Sequence, residues 1–162
     1  MKYVALMFFF ISIASTAQDL NKIRSEYPKA VQSAENAAKL DAELAKINSS
    51  GKSELLAYKG AISTVKAKFA KKKNEKKDFF KAGVSFIESA VKADPSNVEI
   101  RYIRMSVQEN SPKFLGYHKN IEVDKGFILK NYKSISSAEL KEIIKDFVLK
   151  SENFSESEKS RI

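Results

Sequence analysis

Cysteine is absent from this 162-residue chain, and His118 is its only histidine. Without thiols there can be no disulfide scaffold, no thiolate zinc site and no cysteine nucleophile. A lone imidazole also excludes a histidine-rich metal centre. Five glycines and three prolines are too few for a β-sandwich, which needs a turn residue roughly every 8–12 positions. No stretch alternates apolar and polar residues at strand length between hairpin turns. Acidic residues are the minority charge, 20 against 29 Lys and Arg, for a formal net charge of +9. What remains is 43% hydrophobic, too apolar for wholesale disorder and of a length that suits one core.

The beginning reads as an address. Lys2 is followed by an uncharged, largely apolar run from Tyr3 to Ala14, and Ser15-Thr16-Ala17 places small residues at a cleavage site. The run is shorter than the roughly 20 residues that span a bilayer as a helix. The expectation is a signal peptide over 1–17, export to the periplasm or the medium, and no membrane span once it is removed. Without a cysteine after the small residues, lipoprotein attachment is excluded. A single domain over 18–150 follows, then a polar tail over 151–162 expected to fray.

Helical periodicity dominates the body of the chain. Leu55, Tyr58, Ile62, Val65 and Phe69 form one stripe between Glu54 and Phe69, with Gly60 and Ala61 leaving room for a neighbour. Phe79, Phe80, Gly83, Val84, Ile87, Ala90 and Val91 mark a second helix over 78–93. Ser136 with Glu139 has capping-box spacing and precedes the one-sided stripe Leu140, Ile143, Ile144, Phe147 and Val148. Nearer the start, a turn before Pro28 and one Ala-rich helix to about Ile47 are expected, since proline interrupts a helix from within. Phe114 to Tyr132 reads as a further helix, with Gly116 and Gly126 against it. Most telling is the helix after Asp94-Pro95-Ser96-Asn97. Val98, Tyr102 and Met105 make one apolar stripe; Ile100, Ile103 and Val107 make another on roughly the opposite side. A helix with two apolar faces is gripped by neighbours on both. The prediction is an all-α, antiparallel helical array or bundle of about six helices.

Gly83, Ile87, Ala90 and Pro95 have the spacing small-x3-large-x2-Ala-x4-Pro, which resembles the second helix of a tetratricopeptide repeat and its following turn. The helix before it lacks tryptophan and is set off by a Lys-rich insertion, and no second 34-residue copy follows. The resemblance implies a helix array that is TPR-like in part. The run Glu99 to Arg104, with Gln108, Asn110, Pro112, Phe114 to Tyr117 and Asp124-Lys125, is similar to short uncharacterised secreted proteins of Bacteroidota. That resemblance implies an exported bacterial protein and no particular mechanism.

Two groups of residues invite a functional reading. Arg101, Arg104 and Gln108 project together at i, i+3, i+7, and with Tyr117 they define a candidate groove. Guanidinium forks there would suit an envelope protein or an acidic peptide; alternatively Glu88, Glu122 or Asp124 pairs with the arginines internally. Lys71, Lys72, Lys73, Lys76 and Lys77, within a run from Lys66 to Lys81, would suit an anionic polymer or membrane surface; alternatively they form a solvated turn. Nucleic acid is disfavoured by export and by the lack of interleaved stacking aromatics. No nucleophile–base pair, metal-ligand cluster or phosphate-cradling loop is visible, so no catalytic residue, metal or cofactor is expected. His118 reads as a surface or capping residue. The leading expectation is a non-enzymatic, exported binding or scaffold module of the bacterial cell envelope. The alternative is a basic surface protein that works through its lysines.

Overall fold

The computed structural model describes residues 11–46 and 52–162, with side chains from Leu20 onward. These residues contain no strand and fold into eight helices: α1 (Ile11–Gln32), α2 (Ala34–Lys46), α3 (Ser53–Phe69), α4 (Lys73–Ala93), α5 (Val98–Asn110), α6 (Ile121–Asn131), α7 (Ala138–Lys150) and the short α8 (Glu156–Lys159). The all-α expectation holds. Residues 1–10 of the expected signal segment lie outside the described residues, and α1 runs through the expected cleavage point after Ala17.

Helix α5 lies at the centre, packed on α3, α4, α6 and α7. Both of its apolar stripes are covered: Ile100, Ile103 and Met105 are fully buried, and Tyr102 and Val107 nearly so. Asn97 starts it, its side-chain oxygen accepting the main-chain N–H groups of Glu99 and Ile100. Beside it stands the α3–α4 hairpin. Gly60 and Gly83 sit at matching distances from its turn, and the two helices touch there through bare backbone. A Cβ built on either glycine would lie 2.6 Å from the other's carbonyl oxygen. Ser63 fixes the same contact by donating to the Phe79 carbonyl at 2.8 Å.

Several boundaries differ from the expected ones, each for a visible reason. α1 continues through Pro28 and ends at Gln32. Pro28 occupies the exposed face, and continuation keeps Ile23, Tyr27 and Ala30 in the core. The break falls at Ser33 instead, whose hydroxyl caps the start of α2 by accepting from Asn36 N. That break re-aims the chain so that Ala37, Leu40 and Leu44 face inward. The Lys-rich insertion is mostly helix: α4 begins at Lys73, and only Ala70, Lys71 and Lys72 form the turn. Between Phe114 and Tyr132, the helix is confined to α6. Gly116, at φ 68°, closes a single 3-10 turn of Lys113–Leu115. The cap of α7 is Ser137, not Ser136, and it accepts from Leu140 N.

The tail does not fray. Phe154 is buried against Phe147, with ring centroids 6.3 Å apart. Ser151 and Asn153 both donate to Glu109 Oε2, at 2.7 and 2.9 Å. A capping box forms here, between Ser155 and Glu158.

Candidate functional site

Consider first the strip Arg101–Arg104–Gln108. It faces α6 and α4, not open space. Arg104 is buried, and its fork meets Asp124 side-on: Nε donates to Oδ2 and Nη2 to Oδ1, both at 2.7 Å. Its remaining nitrogen donates to Glu88 at 3.0 Å. Arg101 reaches the same Asp124 at 3.1 Å, donates to the Pro95 carbonyl and lies over the Phe127 ring. Tyr117 donates to Glu88 at 2.7 Å. Gln108, fully buried, accepts from Asn120 N. The proposed groove is therefore closed. Burial opposes the charge on Arg104, but the bonds and charge of Asp124, joined by Glu88, outweigh it and raise its pKa. Burial, then the hydrogen bond to Glu88, also pushes the Tyr117 hydroxyl up. These side chains neutralise one another within the fold.

The opposite flank of α5 is spent in the same way. Glu99 accepts both forks of Arg24, at 2.7 and 2.6 Å, and the Tyr58 hydroxyl at 2.9 Å. Tyr27 and Ser106 share a hydrogen bond of 3.1 Å. Both polar seams of the central helix are covered within the fold, with Gln108 Nε2 left buried and without a partner among the described residues. His118 Nε2 meets the Ser111 carbonyl at 2.9 Å and no carboxylate.

A different place is open. A cleft of about 1380 Å³ runs between the end of α1, the last turns of α3, the first turns of α4, the outer face of α5, the Ser111–Leu115 loop and α7. Its floor is apolar, built from Val65, Ala67, Tyr102 and Val107, with Phe80, Ile143 and Phe147 as walls. Most polar groups in the floor are already engaged: Tyr27 by Ser106, Ser111 by the Val107 carbonyl, and Asn110 by the Ser106 carbonyl.

Helical spacing puts the lysines here. Lys73, Lys76, Lys77, Phe80 and Lys81 share one face of α4, and all line the cleft. Lys68 and Lys150 join them, so six lysines face three carboxylates, Glu109, Glu142 and Asp146. Two of those carboxylates are occupied, Asp146 by Lys150 at 2.7 Å and Glu109 by Ser151 and Asn153. Among the described residues no carboxylate lies within ion-pair distance of Lys73, Lys76, Lys77 or Lys81. Lys71 and Lys72 stay outside in the turn, with Lys72 at 3.4 Å from Glu75. Charge is also placed against local preference. A helix N-terminus favours acidic residues, yet the first turns of α4 carry Lys73, Lys76 and Lys77 around Glu75, and its N-cap Lys72 makes no capping bond.

The cleft mouth carries an exposed aromatic. Phe114 is 87% exposed and Leu115 39%, both on the loop that ends at Gly116. Sequence reasoning singled out the lysines but not the cleft, because the floor belongs to helices far apart in the chain. Among the described residues no cluster of His, Asp or Glu could hold a metal ion, and no helix is long and apolar enough to cross a membrane. No family model, curated protein or solved structure matches the chain.

Proposed function

We propose that this chain is a non-enzymatic binding module, exported to the bacterial cell envelope, and that it holds its ligand in the cleft between α4 and α7. One observation carries the reading: the α4 face that brings four unpaired lysines also brings Phe80 to the wall of an apolar cleft. The two expectations drawn from the sequence thereby merge. The partner site moves from the arginine strip to the cleft, and the lysines become its rim. The stacking of α3–α4 against α5–α6 is read as TPR-like in part. Tyr27 beside the cleft is engaged with Ser106, and no histidine lines it, which supports a binding role over a catalytic one.

The anionic apolar dye 8-anilinonaphthalene-1-sulfonate tests the cleft. It is expected to bind saturably at one site. Ala67→Trp, which fills the floor, should abolish that binding while far-ultraviolet circular dichroism stays unchanged. Ile143→Glu, on a half-buried wall position, is the second variant should the first disturb folding. Dye binding untouched by both would sink the reading. Export is tested by N-terminal sequencing of the chain recovered outside the cytoplasm, expected to begin at Gln18.

A further inference from the structure

We infer that the ligand of the cleft is an anionic amphiphile, a molecule with one long hydrocarbon chain and a carboxylate or phosphate head. This deepens the preceding reading and rests on it. The floor favours hydrocarbon: the hydroxyls of Tyr27, Ser106 and Ser111 and the amide of Asn110 are bonded to one another or to main-chain carbonyls, leaving Val65, Ala67, Val107, Phe147 and the Tyr102 ring to make the contact. A ligand that needs hydrogen bonds along its length finds few there. The cleft is also elongated. At 1.5 Å per residue, Tyr102 to Ser111 gives the floor roughly 14 Å along α5, and Lys73 to Lys81 gives the rim roughly 12 Å along α4. The volume of about 1380 Å³ exceeds the roughly 300–1,000 Å³ of ordinary small-molecule sites.

The rim recognises charge. Lys73, Lys76, Lys77 and Lys81 are all exposed and unpaired among the described residues, so meeting an anion breaks no existing ion pair. Their flexible ammonium groups act as point charges and suit a head group in several poses. The opposite wall carries Glu142 and the Asp146–Lys150 pair, which leaves the attraction one-sided and sets the head toward α4. Phe114, nearly bare at the mouth, is placed to lie along the chain of a bound ligand.

The test compares palmitate, 1-hexadecanol and hexadecylamine, equal in chain length and different in head charge, by displacement of the bound dye from the full chain. Palmitate is expected to bind roughly tenfold or more tightly than hexadecanol, a factor equal to about 1.4 kcal/mol, and hexadecylamine more weakly than both. In the quadruple variant Lys73→Gln, Lys76→Gln, Lys77→Gln, Lys81→Gln, palmitate should fall to the level of hexadecanol, whose own affinity should not change. High salt should narrow the same gap. Equal binding of all three would overturn the anionic head while leaving the cleft a binding site. No binding by any of them, with the dye still held and Ala67→Trp still blocking it, would overturn the amphiphile. Displacement by poly-glutamate but not by palmitate would assign the rim to an acidic polymer and overturn the inference as well.

Discussion

Replacing Asp124 by Asn is the sharpest perturbation that the fold offers. Its carboxylate is wholly buried and accepts three hydrogen bonds from two arginines. The neutral amide would leave Arg104, with only 5% of its side chain exposed, facing Glu88 alone. Removing one member of a buried ion pair costs about 3–5 kcal/mol, because the survivor stays desolvated without its counter-charge. Arg101 reaches the Pro95 carbonyl and the surface, and Glu88 remains for Arg104, so the lower end, about 3 kcal/mol, is expected. For a chain of this size that corresponds to roughly 6–12 °C in Tm. Urea unfolding followed by circular dichroism measures it, with an unchanged m-value showing that the unfolded state is the same. The double change Arg104→Met, Asp124→Leu should recover most of the loss, since apolar replacement of both partners is often near neutral. A loss below about 1 kcal/mol in the single variant, or a double variant worse than the two singles added together, would refute this account. Ala at both Arg101 and Arg104 should likewise lower stability, marking these arginines as structural.

Three further outcomes are expected. Gly126 lies in the middle of α6, and a Cβ there meets nothing within 4 Å, so Gly126→Ala should stabilise by roughly 0.5–1 kcal/mol through helix propensity; Gly60→Ala, which would press a Cβ to 2.6 Å from the Gly83 carbonyl, should destabilise by about 1–3 kcal/mol, both read in the same urea assay. In alkali, burial holds the Tyr27 hydroxyl up to about 12 and raises Tyr58 and Tyr102 as well. The unfolded chain therefore releases these protons first, so stability that is intact below about pH 10 should fall as pH rises toward 12. Ionisation of Tyr27, Tyr58 and Tyr102 should rise together with helix loss; ionisation of these three near pH 10 with helicity intact would contradict the burial.

The sequence made the central helix legible because Val98, Tyr102 and Met105 on one side, with Ile100, Ile103 and Val107 on the other, need only the 3.6-residue period to be recognised. The same period extends no farther than the apolar residues. The first turns of α4 are Lys, Asn and Glu, so their helicity became apparent only from the structure, where they prolong a hairpin anchored by Gly60 and Gly83. The arginine strip was correctly seen as one face, but which element covers that face depends on where α6 folds back, a contact about 20 residues away that no local pattern encodes. The cleft is harder still. Its walls come from five helices and a loop, and each contributes side chains that read locally as core or as solvated charge. The tail was misjudged on composition, although Ser155 and Glu158 carry the capping signal that its polar character concealed.

Helix α5 is clamped from both directions along the chain: Glu99 by Arg24 of α1, Arg104 by Asp124 of α6. A fragment that starts after α1 strands a buried carboxylate, and one that stops before α6 strands a buried guanidinium. The polypeptide is indivisible around this helix, so neither half can settle until the other has arrived.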